Sequence, residues 1–295
     1  MFYASSELFS LCLREMGLNN RMKKRVGFVI LVWNSEKVID KCLLSICNLK
    51  QVEPYIVLID NGSTDNSISI VNQYVDKLNL ELIRYDNNMG TTISRNSGLR
   101  KLQQVSPDYY CILDSDTEVN DDAFVKLIME MEKNPSYGVI GPTLVSSSGL
   151  VQMSARCFPT ALEKFYKAVP IKRIQAKGEK MEIQRPTSPD AVSYPVDYLM
   201  SAFWLIRPDT LSKAGMLDEK IFYAPEDAEY CINVWKNGYQ VAFCPSAVII
   251  HEWQRLSKKK LFSKMNWEHI KGLCYMFKKH HYFFSAKKLR ASFGR

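Results

Sequence analysis

Two carboxylates one residue apart, Asp114 and Asp116, stand where an apolar run, Tyr109 to Leu113, comes to an end. Such a run reads as a buried strand, so the acids appear where a core strand surfaces. Like charges that close repel, and burying either without a partner is costly. A positive group belongs beside them. With Ser115 between them, the pair can offer oxygen ligands to Mg2+ or Mn2+. A cation held this way bridges phosphate oxygens and carries the charge of a departing diphosphate. The plainer reading is helix capping, since Asp121 and Asp122 follow. That reading accounts for Asp121 better than for Asp114.

The same placement recurs along the first half of the chain. Asn34 and Glu36 follow the run Val26 to Trp33; Asp60, Asn61 and Gly62 end a second run, PYIVLIDN; Asn87, Asn88 and Gly90 follow a third, LELIRYD. Each set alone is ordinary turn chemistry. Taken together with the acid pair, they describe one binding edge. The elements between these runs have helical spacing: residues 36–49, residues 63–78 with Ser63 and Asp65 at the start, and residues 91–104. Buried strands alternating with helices predict an α/β fold, a Rossmann-like, mostly parallel sheet with helices on both faces. In such sheets ligands collect at the carboxyl ends of the strands.

Residues 146 to 195 are rich in Ser, Pro, Gln and Lys, have weak periodicity, and read as a long loop region. Beyond them VDYLMSAFWLIRP reads as a strand, PEDAEYCINVWKNG as a helix, and YQVAFCP and SAVIIHEW as two short strands.

Composition bounds the class. The chain of 295 residues is 46% hydrophobic and 24% charged, ordinary globular material. No apolar stretch approaches the roughly 20 residues that a spanning helix needs. The eight cysteines are scattered without a CxxC pair, which favours reduced thiols over a zinc site or disulfide framework. The net charge of +8 is uneven: residues 254 to 295 carry +11, and the rest carries −3. Three segments are expected: an N-terminal extension (1–21), because Met22 followed by Lys-Lys-Arg looks like an alternative start; a main domain (22–253); and a basic amphipathic tail (254–295). In the tail Phe262, Met265, Leu273, Met276 and Phe277 could share one helical face, which suits an anionic membrane surface. The alternative is a helix packed on its own domain. Nucleic acid is excluded as a partner because the body carries no matching basic face.

The ordered set VWN, IDNGSTDNS, NMG, SRNSG, ILDSDTEV, the PED helix and a later His resembles the inverting nucleotide-sugar glycosyltransferases of family 2, and more narrowly their rhamnosyltransferase-like branch in bacterial surface polysaccharide synthesis. The resemblance spans roughly residues 26 to 253. It implies a GT-A fold that binds a nucleotide sugar (dTDP-rhamnose, or a UDP- or GDP-sugar) through its N-terminal half. It implies a glycan or lipid-linked acceptor and work at the cytoplasmic membrane face. Asn34, Glu36 and Asp60 match positions near the nucleoside, and Gly90 and Arg95 match the segment that approaches the nucleotide and its phosphates. Asp114 would touch the ribose or act through the metal, and Asp116 would ligate the metal. Asp227 would be the general base with Glu226 assisting, and His251 a further metal or diphosphate contact. His269, His280 and His281 lie in the tail and receive no role. Acids in a first helical turn are also favourable with the helix dipole alone, and the dipole would lower the pKa of the base.

Two departures qualify the resemblance. The family often has a glycine in the strand where this chain reads Met200 to Trp204, a segment expected to face the sugar or acceptor. A QxxRW motif is absent, so processive synthesis is not expected. A sugar nucleotidyltransferase would need a Gly-rich loop where this chain reads VWNSEK. A non-catalytic scaffold keeping the fold is the rival outside catalysis.

Overall fold

Alternate residues of the first strand serve two different cores. In a computed structural model of the chain, which describes residues 23–186, 191–252 and 264–295, β1 (Lys24–Val32) sends Val26, Phe28, Ile30 and Val32 to one side and Val29 to the other. A strand's side chains alternate between faces, so a strand covered on both sides must be apolar throughout. The strand β4 (Tyr109–Asp114) divides the same way: Tyr109, Cys111 and Leu113 to one core, Tyr110 and Ile112 to the other.

These strands run parallel with β2 (Val52–Asn61) and β3 (Leu80–Tyr85) in the order β3-β2-β1-β4. The sheet continues through β11 (Phe203–Ile206), antiparallel to its neighbours, to β6 (Tyr137–Val145) and β12 (Gln240–His251), which pair in parallel. A short β5 (Thr117–Glu118) closes the far edge against β12. Helices α1 (Ile39–Cys47) and α4 (Asp121–Lys133) cover one face. On the other lie α3 (Thr91–Gln103), α7 (Pro208–Ala214), α8 (Glu226–Lys236) and α9 (Lys264–Lys279). The fold is the expected mixed α/β architecture.

Several elements differ from expectation. Residues 63–78 form only a short helix, α2 (Ser67–Val71), and a single 3-10 turn. The segment read as one strand around residues 196–208 breaks at Met200 to Ala202, leaving β9 (Tyr194–Val196) and β10 (Tyr198–Leu199) before β11. The two strands expected near the end are one, β12, with a register shift between Cys244 and Val248. The middle region is not a bare loop. Besides β7 (Val151–Gln152) and β8 (Ala155–Arg156), it holds α5 (Ala161–Ala168) and α6 (Lys172–Glu182). Thr160 caps α5 by accepting from the Glu163 N–H (3.2 Å). The two helices meet through Gly178, where a Cβ would lie 2.7 Å from Lys167 Cγ. A contact made by backbone proximity leaves no apolar periodicity to read.

The apolar face expected in the tail packs on the body of the protein. Leu273, Met276 and Phe277 are buried in the core that also holds Tyr230 and Trp235 of α8. The apolar face of α9 therefore faces inward, because burying it against the body removes more apolar surface from water than leaving it open. Gly272 sits against Ala224, where a Cβ would meet the carbonyl oxygen at 2.3 Å. Lys279 pairs with buried Glu229 (2.6 Å) and with Asp218 (2.7 Å). Phe262 and the extension 1–21 lie outside the described residues. A final short helix, α10 (Lys287–Ala291), places Arg290 on buried Asp197 at 2.9 Å.

Candidate active site

Four strand ends and the start of α8 open into one cavity of about 830 Å³. The polar side chains of α3 explain why that helix is sparsely apolar: Thr92, Ser94, Arg95 and Asn96 are all buried. Arg95 is the centre of the arrangement. Its guanidinium contacts Asp114 at 2.6 Å and Glu226 at 3.1 Å, and donates to the Ser201 carbonyl at 3.2 Å. It is thus the positive partner of the first aspartate, and it joins the acid pair to the first turn of α8. Ser201, in the break before β11, donates its hydroxyl to Glu226 (2.8 Å).

Asp114, Asp116 and His251 offer ligand atoms that lie within 4.8 Å of one another. His251 Nε2 is 3.3 Å from Asp116, and its Nδ1 bonds to Gln152 Oε1. An Nδ1–H donated to that amide oxygen leaves Nε2 facing the aspartates: protonated, it donates to Asp116, and deprotonated, its lone pair would point where a cation would sit, the orientation a metal-binding imidazole needs. Burial works to lower the His251 pKa, but hydrogen bonding to Asp116 and the charge of that group outweigh it and the net shift is upward. Among the described residues, Arg95 is the one arginine or lysine bonded to Asp114, Glu226 or Asp227. Hard oxygen donors, an oriented imidazole and this negative excess fit a divalent cation.

Glu226 and Asp227 differ in state. Burial, then the Asp227 charge, pushes Glu226 up to about 8 despite Arg95. Burial also raises Asp227, against a hydrogen bond from the Ala228 N–H (2.8 Å) and the charge of Arg156. The dipole effect expected of a first helical turn is therefore outweighed by desolvation.

The other predicted residues divide. Asn34, Asn61, Asn88, Gly90 and Ser115 line the cavity with Arg95, Asp114, Asp116, Glu226, Asp227 and His251. Asn61 donates to Asn88 (3.0 Å) and accepts from the Met89 N–H (2.8 Å), tying two strand ends together. Gly90 has φ +86°, and a Cβ there would stand 2.5 Å from the Phe222 carbonyl. Only glycine admits that close approach. Ser115 meets Ser35 at 2.8 Å. Glu36 and Asp60 do not line the cavity. Glu36 accepts from Asn66 (3.2 Å), and buried Asp60 accepts from the Ser63 N–H (2.9 Å) and from Arg84 (3.4 Å). Both brace the loops behind Asn34.

At Met200 to Trp204 the two aromatic side chains turn away from the cavity. Met200, Ser201 and Ala202 line it, whereas Phe203 and Trp204 enter opposite cores, Trp204 stacked on Tyr230 at 5.5 Å. Sequence reasoning missed Gln152, Arg156, Lys164, Lys167, Tyr198 and His269, all in the lining. His269, set aside as a tail residue, comes in on α9.

The sheet order and this cavity define a GT-A glycosyltransferase. The family profile described as "Glycosyl transferase family 2" matches residues 28–199, and the chain belongs to that family. A poly-beta-1,6-N-acetyl-D-glucosamine synthase of Staphylococcus epidermidis is 28% identical over 115 residues, 39% of this chain and 27% of that protein. An uncharacterized glycosyltransferase of Haemophilus influenzae is 34% identical over 110 residues, 37% of this chain and 43% of that protein. The chain thus spans less than half the length of these curated relatives. Among solved structures, S. aureus TarS 1-349, also known in complex with UDP, aligns with a TM-score of 0.52 at 20% identity, over 78% of this chain and 60% of that one. The mannosyltransferase PcManGT of Pyrobaculum calidifontis, in complex with GDP-Man and Mn2+, aligns at 0.57 and 15% identity, over 92% of this chain and 70% of that one. At such identities these likenesses speak for the fold.

Proposed function

We propose that this chain is an inverting glycosyltransferase that moves a sugar from a nucleoside-diphosphate donor, dTDP-rhamnose or a UDP- or GDP-sugar, to a hydroxyl of a glycan or lipid-linked acceptor in cell-surface polysaccharide synthesis. The observation that carries this reading is a single cavity holding both the Asp114–Asp116–His251 donor cluster and the Glu226–Asp227 turn. Nucleotide complexes of fold relatives and the polysaccharide synthase named among the sequence relatives support it.

The acceptor oxygen attacks the anomeric carbon on the face opposite the leaving group. The bond from that carbon to the diphosphate oxygen breaks, and the nucleoside diphosphate keeps the electron pair. Asp227 takes the hydroxyl proton late in the displacement. Glu226, fixed by Arg95 and Ser201, orients the turn. Asn34, Asn61, Asn88 and Gly90 shape the nucleotide edge, with Ser115 beside them, while Arg95 supplies positive charge. A Mg2+ or Mn2+ ion held by Asp114, Asp116 and His251 would neutralise the departing diphosphate. Glu36 and Asp60 act at one remove, by holding the nucleoside-facing loop. Donor hydrolysis across a panel of dTDP-, UDP- and GDP-sugars tests this reading. One donor should be turned over well above the others; no hydrolysis or transfer with any would defeat it.

We place the protein at the cytoplasmic face of the membrane. Among the described residues no helix is long and apolar enough to cross a bilayer. The outer face of α9 carries Trp267 (59% exposed) and Ile270 (52%) beside Lys271 and Lys278. The adjoining Phe284 is 69% exposed. Exposed aromatics among lysines suit an anionic lipid surface. The full chain should sediment with phosphatidylglycerol vesicles, and Trp267→Ser with Phe284→Ser should release it. A wild-type chain that stays in the supernatant would refute the placement.

A further inference from the structure

The cavity wall beyond Asp227 is cationic, and no element of the N-terminal nucleotide edge contributes to it. Arg156 comes from β8, Lys164 and Lys167 from α5, and all three line the cavity. Beneath the lysines lies Glu163, 2% exposed, 3.3 Å from each ammonium group. Glu182 pairs with Lys167 (2.7 Å) and with Arg156. Three cations thus share two carboxylates. The lysine side chains keep 28% and 33% of their exposure, toward the cavity that they line.

The reach of this wall is visible in its neighbours. Burial raises the carboxyl of Asp227, and the charges of Arg156 and Lys164 both pull against that rise. Burial, with the charges of Lys164 and Lys167, holds His269 down at about 4, so it faces the cavity as a neutral imidazole. Holding two long side chains in a half-buried wall costs conformational entropy, and fixed ammonium and guanidinium groups are what a phosphate ester takes as partners.

We propose that Arg156, Lys164 and Lys167 form an acceptor subsite for a phosphate or diphosphate group, so that the acceptor is a phosphorylated carrier. This inference rests on the glycosyl-transfer reading above and specifies its acceptor. The shared chemistry has two sources, a lipid-linked diphosphate and a soluble phosphate. Both α5 and α9 also present apolar residues outward, Phe165 (62% exposed) and Trp267, which a lipid-linked carrier would use and a soluble phosphate would not.

The test uses the full chain, with the donor half filled by Mn2+ and whichever of UDP, GDP or dTDP binds best. Three probes are titrated: a short-chain prenyl diphosphate-linked N-acetylglucosamine, the octyl glycoside of the same sugar, and inorganic pyrophosphate. The diphosphate-linked sugar should bind about tenfold or more tightly than the octyl glycoside, as charge-assisted bonds imply. Lys164→Gln with Lys167→Gln should erase that preference and leave nucleoside-diphosphate binding intact, which also reports that the variant is folded. Pyrophosphate competing with the linked sugar supports the subsite and assigns recognition to the anion; weak competition supports it and assigns part of the affinity to the prenyl chain. Equal affinity for the two sugars, or a preference that survives in the double variant, overturns the proposal. A chain that binds no nucleoside diphosphate would instead fail the underlying reading.

Discussion

Asp227→Asn is expected to lower glycosyl transfer by about 10²–10⁴-fold, the usual contribution of a positioned proton acceptor, while nucleoside-diphosphate binding stays intact. The amide keeps the size of the side chain and can still accept from the Ala228 N–H (2.8 Å), but it cannot take a proton from the acceptor hydroxyl. Glu226 does not substitute. It is pinned by Arg95 and Ser201, and its pKa of about 8 leaves it largely protonated at neutral pH. A rise in KM with kcat unchanged would show that Asp227 only binds the acceptor. A fully active variant would end its assignment as base.

Arg95→Met is expected to destabilise the metal-free protein by about 3–5 kcal/mol, the cost of stripping one partner from a buried ion pair. Arg95 is 2% exposed and touches two carboxylates. The penalty should depend on pH. The folded pKa of Glu226, about 8, lies above its unfolded value of about 4.3. Its proton is therefore retained in the fold and lost in the unfolded chain between those values. Ionisation costs folding free energy as pH rises through that window and has no effect below it. Without Arg95 the folded carboxyl moves further up, as does Asp114, which burial already raises. Thermal unfolding in chelator should therefore show a larger deficit at pH 8 than at pH 5. An equal deficit at the two values would contradict the picture of one guanidinium shared by two acids.

How far the sequence could foresee this site follows from where each residue comes from. Asp114 and Asp116 were legible because a continuous apolar strand makes its first acid conspicuous, and Asn61, Asn88 and Gly90 because they end strands of the same kind. The parallel half of the sheet was legible for the same reason. Asp60 ends a strand too, but its side chain turns back onto the Ser63 N–H and Arg84, a choice that strand periodicity does not encode. Glu226 and Asp227 stood out from ordinary helix-start acids only through the family resemblance. Arg156, Lys164, Lys167 and His269 were not legible, because they converge only where β8, α5 and α9 reach the cavity at the start of α8. The contacts that bring α6 to α5 and α9 to residue 224 pass through Gly178 and Gly272, which carry no hydrophobic signal. The apolar face of α9 was legible as a face, but its destination was not. An amphipathic helix with lysines reads alike whether its apolar side meets lipid or its own domain, and Gly272 against Ala224 decides for the domain.

We propose that Asp114, Asp116 and His251 hold a divalent cation that secures a nucleoside diphosphate. Thermal unfolding of the full chain with UDP, GDP and dTDP, each with Mn2+ or with chelator, and repeated on Asp116→Ala, tests it most directly. One nucleotide should stabilise the wild type only with metal, by about 2.7 kcal/mol at a hundredfold excess over Kd, and Asp116→Ala should lose this shift. A wild type indifferent to metal with every nucleotide, or an Asp116→Ala variant that keeps the full shift, would contradict it.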